Sequence, residues 1–405
     1  MKRIIFVTGL TLWSMGKGHG GPAFTQTVLK YIRDGWDVYL ISNEPTNKEF
    51  SDLDVSHNIL IKHSFFYPLT KIPKIRFFIR WLEYLYANAK FKSAIKQIVH
   101  QNPVQTVIYA YEIYGVRAGR KAADEFRIPL VTRFQGTILC GISHFTVIER
   151  FLKWQHFEGL STPADLIIMT DDGTFGDKIL KKLGNTSPTV FWKNGLDLIE
   201  LNYSEEQKKA MRQACRKELK ITDSDIMLLT VSRLVDWKRV ERSIYGLYQC
   251  AKQVPQARLV IVGDGEARPR LEQLVQSLGL ENRVIFTGSV THDKVYDYLA
   301  AADIFLSLYD LSNVGNPLLE AMTLGKCIIT LDVGTTREEI KNRENGILLT
   351  YDALDQLGNT IVELSMNEGV RRELGEHAAE YAKTHFWSWS DRMNAEVERI
   401  EALLK

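Results

Sequence analysis

The chain has 405 residues, 45% hydrophobic and 25% charged, which supplies a large core and exceeds one average domain, so two domains are expected. Its formal charge of +2 is uneven: residues 1–185 hold 24 Lys and Arg against 16 Asp and Glu, the remainder 27 against 33, a split that suits two binding duties. The near-neutral total argues against a nucleic-acid partner, and no window approaches the roughly 18 apolar residues of a membrane span.

In chain order, MKRIIFVTGL reads as a first strand, because its apolar run is short and glycine and charge follow where a signal peptide would carry small residues. Gly16, Gly18, Gly20 and Gly21 precede Pro22 and a helix with an apolar face of Phe24, Val28, Leu29 and Ile32. Two readings fit this loop: a flexible connection, or an anion cradle at a helix start that His19 also reaches. The loop matches neither a Walker A pattern nor G-x-G-x-x-G. Further short apolar runs, WDVYLIS, TVIYAY, PLVTRF and DLIIMT, alternate with helical stretches such as Gly115 to Phe126, the pattern of a parallel sheet covered on both faces.

Residues 64–99 set Lys71, Lys74, Arg76, Arg80, Lys90, Lys92 and Lys96 against Glu83 alone, among large apolar groups that include Trp81. A domain helix with one core face and one solvated face fits. So does a surface facing an anionic bilayer, and one helix can serve both. Asp171 and Asp172 follow DLIIMT, where adjacent acids either cap the next helix or line a ligand cleft. The four cysteines, Cys140, Cys215, Cys250 and Cys327, are widely spaced without C-x-x-C, which excludes a disulfide framework and suits a reducing compartment.

The alternation restarts with IMLLTVSRL, ARLVIVGDG, RVIFTG, IFLSLY and KCIITL, so the fold class is α/β with two Rossmann-like domains. The junction near Lys193 lacks a Ser/Gly/Pro tether, and the two domains are expected to face each other across a cleft. The expected boundaries are 1–193, 194–385 and a terminal segment 386–405, which either crosses back to the first domain or caps the second. Arg233, Lys238 and Arg239 gather after the first strand of the second half, where a guanidinium fork and a point charge suit phosphate. In SNVGNPLLEA, Asn316 is the expected cap, Pro317 the first-turn proline, and Glu320 a first-turn acid. That acid is either an ordinary helix-end charge or the acceptor of two hydroxyls of a vicinal diol such as ribose.

Taken together, GG at 20–21, KNGLD at 193–197, VSRLVDWK at 231–238, VGDG at 262–265, RVIFTGSV at 283–290 and GNPLLEA at 315–321 resemble the retaining glycosyltransferases of family four, with GT-B architecture. The resemblance implies a C-terminal domain that holds a nucleotide sugar, UDP- or GDP-linked, and an N-terminal domain that holds a saccharide or lipid-linked acceptor. It implies Arg233 and Lys238 on the donor diphosphate, Glu320 on the ribose, and Gly20 and Gly21 near the phosphate or reacting sugar. Leu318 and Leu319 would bring backbone N–H groups to the phosphates, Asn194 would shape the interdomain turn, and Gly263, Asn313, Gly315 and Asn316 would complete the donor side.

The chain departs from the family at two places: Ser312 stands where the first of two glutamates is usual, and Gln135 where a histidine often stands. His19, Gln135, Asp171 and Asp172 are the acceptor-side candidates. Front-face transfer with retention is expected, with no metal and no further cofactor, on the cytoplasmic face of a membrane whose anionic surface meets Lys71, Lys74, Arg76, Arg80 and Trp81. A non-catalytic sugar-nucleotide binder of the same fold, and a transferase acting on a small soluble acceptor, are the alternatives. A nucleotide-dependent oxidoreductase lacks its glycine fingerprint here.

Overall fold

The computed structural model describes residues 1–9, 23–43, 57–198 and 201–405. They gather into two compact units: Met1–Asp171, Phe175–Lys193 and Ser390–Lys405 form the first, Asp172–Thr174 and Asn194–Trp389 the second.

In the first unit β1 (Lys2–Thr8), β2 (Asp37–Ser42), β3 (His57–Leu60), β4 (Gln105–Tyr111), β5 (Leu130–Phe134), β6 (Leu166–Thr170) and β7 (Thr189–Trp192) make one parallel sheet. The order is β3-β2-β1-β4-β5-β6-β7, and β1 sets Ile5 between Tyr39 and Ile108. Successive strand residues point to opposite faces, so the unbroken run Ile4 to Val7 is buried only because helices cover both. Ile5 and Val7 pack with Phe91, Ile95 and Val116 from helices Arg76–Gln101 and Ile113–Phe126. On the opposite face Phe6 meets Phe24 and Tyr31 of helix Ala23–Arg33 edge-on, at ring-centre distances of 5.8 Å.

The second unit repeats the plan with β8 (Ile226–Val231), β9 (Ala257–Val262), β10 (Val284–Gly288), β11 (Ile304–Ser307), β12 (Cys327–Leu331) and β13 (Ile347–Leu349), in the order β10-β9-β8-β11-β12-β13. Leu228, Ile261 and Leu306 belong to one core layer, Met227, Val260 and Phe305 to the other. The strand order reverses at the β8/β11 pair, where an open parallel sheet leaves a crevice at its carboxyl edge. Sequence reading missed β3, β7 and β13. Each is an edge strand of three or four residues, and side chains of β3 and β7 are largely exposed or half-buried, so their apolar runs are weak.

The terminal helix Trp389–Ala402 contributes to the first unit through buried charge. Glu396 is fully buried and accepts from Tyr109 Oη at 2.7 Å and Arg392 Nη1 at 2.9 Å, with Arg133 Nη1 at 3.3 Å. Arg133 also donates to Thr27 Oγ1, so one carboxylate links the terminal helix with β4, β5 and helix Ala23–Arg33. Removing one member of a buried ion group leaves the others desolvated and unpaired, which costs about 3–5 kcal/mol. Glu396→Ala is therefore expected to lose stability of that order in urea denaturation followed by tryptophan fluorescence. A loss below about 1 kcal/mol would mean that both guanidiniums find other partners.

Candidate functional site

The carboxyl edge of the second sheet is shaped first by backbone. Gly263, with φ +132°, lies so close to the loop after β8 that an added Cβ would stand 1.9 Å from the Ser232 carbonyl oxygen. Leu234 N–H donates to Asp264 O at 2.9 Å, so the β8 and β9 loops are tied together and Arg233 is left on their exposed side. Gly263, expected as a donor contact, is thus required by its neighbouring backbone.

Lys238 ends a short 3₁₀ turn, Asp236–Lys238. Its Nζ donates to Ser312 O at 3.2 Å and stands 4.1 Å from the centre of the Tyr309 ring and 4.5 Å from that of Trp237, while Arg233 lies 5.6 Å from the Trp237 centre. Burial pulls the Lys238 ammonium down to about 7; the Asp172 carboxylate opposes that fall and Arg233 adds to it. Arg239 turns aside to Asp310 and Glu241, at 3.2 and 3.1 Å.

Opposite, β11 leads into SNVGNPLLEA. Asn313 is buried: its Oδ1 accepts from Tyr309 N at 3.0 Å, and its Nδ2 donates to Tyr309 O at 2.8 Å. It stabilises the strand end instead of offering its amide to a ligand. Ser312 sits at φ +58°, a left-handed conformation that costs a non-glycine residue about 1 kcal/mol. Helix Asn316–Thr323 takes Gly315 as its N-cap, not Asn316; Asn316 Oδ1 instead accepts from Asn194 Nδ2 at 3.2 Å. Leu318 and Leu319 are buried and their N–H groups donate to Gly315 O at 3.0 and 3.3 Å, which corrects the expectation that these amides face phosphate.

Glu320 lies one residue deeper in its helix than expected, outside the first turn, and is 1% exposed. His292, which sequence reading passed over, explains how it is held. His292 opens helix His292–Ala301 after β10 and places Nε2 2.8 Å from Glu320 Oε1. The Tyr296 hydroxyl is 3.4 Å from both His292 Nδ1 and Asp197 Oδ2. The available signal was position: a polar THDK segment at a strand's carboxyl end, opening a helix.

The adjacent acids part company. Asp171 stays with the first unit and bonds Lys193 at 3.1 Å. Asp172, expected beside it on the acceptor side, clusters with the second unit. Its Oδ1 accepts from Thr174 N and Oγ1 at 3.2 and 2.6 Å, its carbonyl accepts from Val314 N at 3.1 Å, and the Ser312 hydroxyl bonds its carboxylate. Burial raises the Asp172 carboxyl above its usual range. Neither acid bonds as the cap of the following helix Gly176–Lys182, which starts from Phe175 without a side-chain cap. In the first unit Gln135 Nε2 donates to Tyr111 Oη at 2.9 Å, and its backbone N–H donates to Glu112 Oε1 at 2.7 Å. Lys71, Lys74, Arg76, Arg80 and Trp81 are exposed. His19, Gly20 and Gly21 lie outside the described residues.

The arrangement joins two cations at the end of β8 with a histidine-held carboxylate in the helix after β11, a set that suits an anionic ligand bearing a neighbouring diol. Lys238 is charged below about pH 7 and neutral above it, so anion affinity falls as pH rises, by up to about tenfold per unit. Calorimetry with pyrophosphate is expected to show weaker binding at pH 8 than at pH 6 relative to Lys238→Arg, whose charge persists. Asp172→Asn removes the opposing carboxylate and moves the midpoint lower. Parallel pH profiles for wild type and Lys238→Arg would take Lys238 out of the site.

Residues 211–384 match the family model described as Glycosyl transferases group 1. The chain is 32% identical over 181 residues to N-acetyl-alpha-D-glucosaminyl L-malate synthase of Bacillus anthracis, covering 45% of this chain and 46% of that protein. In three of the curated relatives the match spans 46% to 65% of their length, less than two thirds. The fold is similar to sucrose-phosphate synthase from Thermosynechococcus elongatus, with TM-score 0.79, 20% identity and coverage of 100% and 99%. It is also similar to Anabaena HepE in complex with UDP-glucose, with TM-score 0.75, 22% identity and coverage of 99% and 100%.

Proposed function

We propose, from the premise that this chain has the GT-B fold and carries a glycosyl transferases group 1 domain over residues 211–384, that it is a retaining glycosyltransferase. It moves a sugar from a nucleotide-sugar donor, UDP- or GDP-linked, to a saccharide or lipid-linked acceptor in cell-surface glycan synthesis. The observation that carries this reading is that Lys238 bonds Ser312 in the loop leading into the Glu320 helix while His292 holds Glu320, all at the carboxyl edge of the second sheet.

Cleavage of the anomeric C–O bond leaves positive charge on the sugar and negative charge on the departing diphosphate. Arg233 and Lys238 stabilise that diphosphate, and preorganised charge of this kind is usually the largest catalytic contribution. Glu320, held through one oxygen by His292, accepts from the ribose diol. The Ser312 hydroxyl, which also bonds the Asp172 carboxylate, and the Gly315 backbone serve the donor sugar. The acceptor hydroxyl attacks from the face the diphosphate leaves, its proton passes to a departing phosphate oxygen, and the new C–O bond keeps the anomeric configuration. Gln135 and Asp171 of the first unit, with His19, Gly20 and Gly21, serve the acceptor and reacting sugar. The two cations take the role a metal would otherwise have, so EDTA leaves turnover unchanged. The exposed Lys71, Lys74, Arg76 and Arg80 hold the protein at an anionic cytoplasmic membrane face, where a lipid-linked acceptor resides.

A thermal-shift screen over nucleotide sugars, followed by product analysis with the best donor, tests the activity; a true donor raises the melting temperature by mass action. The product is expected to keep the donor's anomeric configuration by NMR, and inversion would end the retaining mechanism. Donor binding without transfer to any saccharide or lipid-linked saccharide would favour a binding protein of the same fold. Arg233→Ala is expected to lose about 2–4 kcal/mol of transition-state stabilisation in kcat/KM. Glu320→Gln retains a hydrogen-bonding partner for His292 and its circular dichroism, while the donor dissociation constant rises. An unchanged constant would confine Glu320 to holding its helix.

A further inference from the structure

The first unit carries an apolar surface built from two segments far apart in sequence. Phe65 is 92% exposed, Val147 83% and Ile148 70%. Helix Val147–Leu152 buries none of its side chains, and neither does the 3₁₀ turn Tyr67–Lys71. The segments meet where the Phe77 and Phe151 rings stack at 4.3 Å. The sequence marks the first segment by basic residues interleaved with large apolar ones; the second, VIERFL, is too short for a periodicity to show.

Charge selects the occupant. Lys71, Lys74, Arg76 and Arg80 alternate in sequence with the apolar residues of the first segment and are exposed. The acids of these two segments are occupied: Glu83 is buried and bonds Ser64 N and His63 Nδ1 at 3.0 Å, and Glu149 accepts from Lys153 at 2.6 Å. A second copy docked by two-fold symmetry would set one basic fringe against another, which is repulsive. An anionic bilayer accepts both parts, with cations at the headgroups and aromatic or aliphatic groups at the acyl boundary.

We propose that residues 65–81 and helix Val147–Leu152 form one wedge that inserts into the headgroup region of an anionic bilayer, so that attachment is apolar as well as electrostatic. This deepens, and rests on, the membrane-facing reading of Lys71, Lys74, Arg76 and Arg80.

The test uses the full chain and vesicles of phosphatidylcholine with or without phosphatidylglycerol, without donor or acceptor. Sedimentation is measured from about 0.05 M to about 0.5 M salt, which shortens electrostatic reach severalfold. Wild type is expected to retain binding to anionic vesicles at high salt. A Phe65→Ser, Val147→Ser, Ile148→Ser variant alters only exposed side chains, so its circular dichroism and melting temperature stay unchanged. Its high-salt binding is expected to fall at least tenfold while low-salt binding persists. Equal high-salt binding by the folded variant overturns insertion and leaves electrostatic attachment standing. Loss of wild-type binding at high salt does the same. Absence of binding to anionic vesicles at any salt overturns both. A wild-type dimer in sedimentation velocity that the triple variant abolishes would assign the surface to a second copy and overturn the wedge.

Discussion

Strands that all run one way end at one edge, and there their backbone groups lose the ladder that satisfied them. Each sheet of this protein meets that constraint, and in the second the loops answer it with side chains and close backbone contact. Asn313 closes the end of β11 through the Tyr309 backbone, and Gly263 lets the β9 loop lie against Ser232. With the backbone satisfied internally, the charged side chains of the neighbouring loops are free for other chemistry.

What those charges do depends on how far they are withdrawn from water. Arg233 remains exposed and is a permanent cation, whereas Lys238 lies against two aromatic rings and a buried carboxylate and titrates near neutrality. Glu320 is buried more completely still, yet His292 gives it a polar partner, so its carboxylate is fixed in position. Orientation of one polar group by another is what distinguishes this loop cluster from an ordinary basic turn.

The central strands were legible because covering both faces demands unbroken apolar runs such as IIFV and MLLTV. The edge strands β3, β7 and β13 were not, since with fewer neighbours they need little apolar character, as TVFW and HNIL show, whereas β10, also at an edge, was read from RVIFTG. Arg233, Lys238 and Glu320 stood out by charge next to strand ends. Asn313 looked like a ligand contact and proved to be a strand-end cap, a distinction that rests on which way an amide points. Asp172 and His292 depend on partners more than 20 residues away, Lys238 and Glu320, and no local pattern encodes such pairings. Glu396 belongs with them, since its partners Arg133 and Tyr109 lie more than 250 residues away.

Because Ser390–Lys405 belongs to the first unit, that unit is discontinuous along the chain. During synthesis its sheet emerges first, but the carboxylate that neutralises Arg133 is absent until the whole second unit has been translated. At roughly 5–20 residues per second, the intervening Asn194–Trp389 takes on the order of 10–40 s. Over that interval the Arg133 guanidinium lacks the Glu396 carboxylate that later faces it. The second unit, apart from Asp172–Thr174, is one continuous span, so its sheet waits for no later segment of the chain.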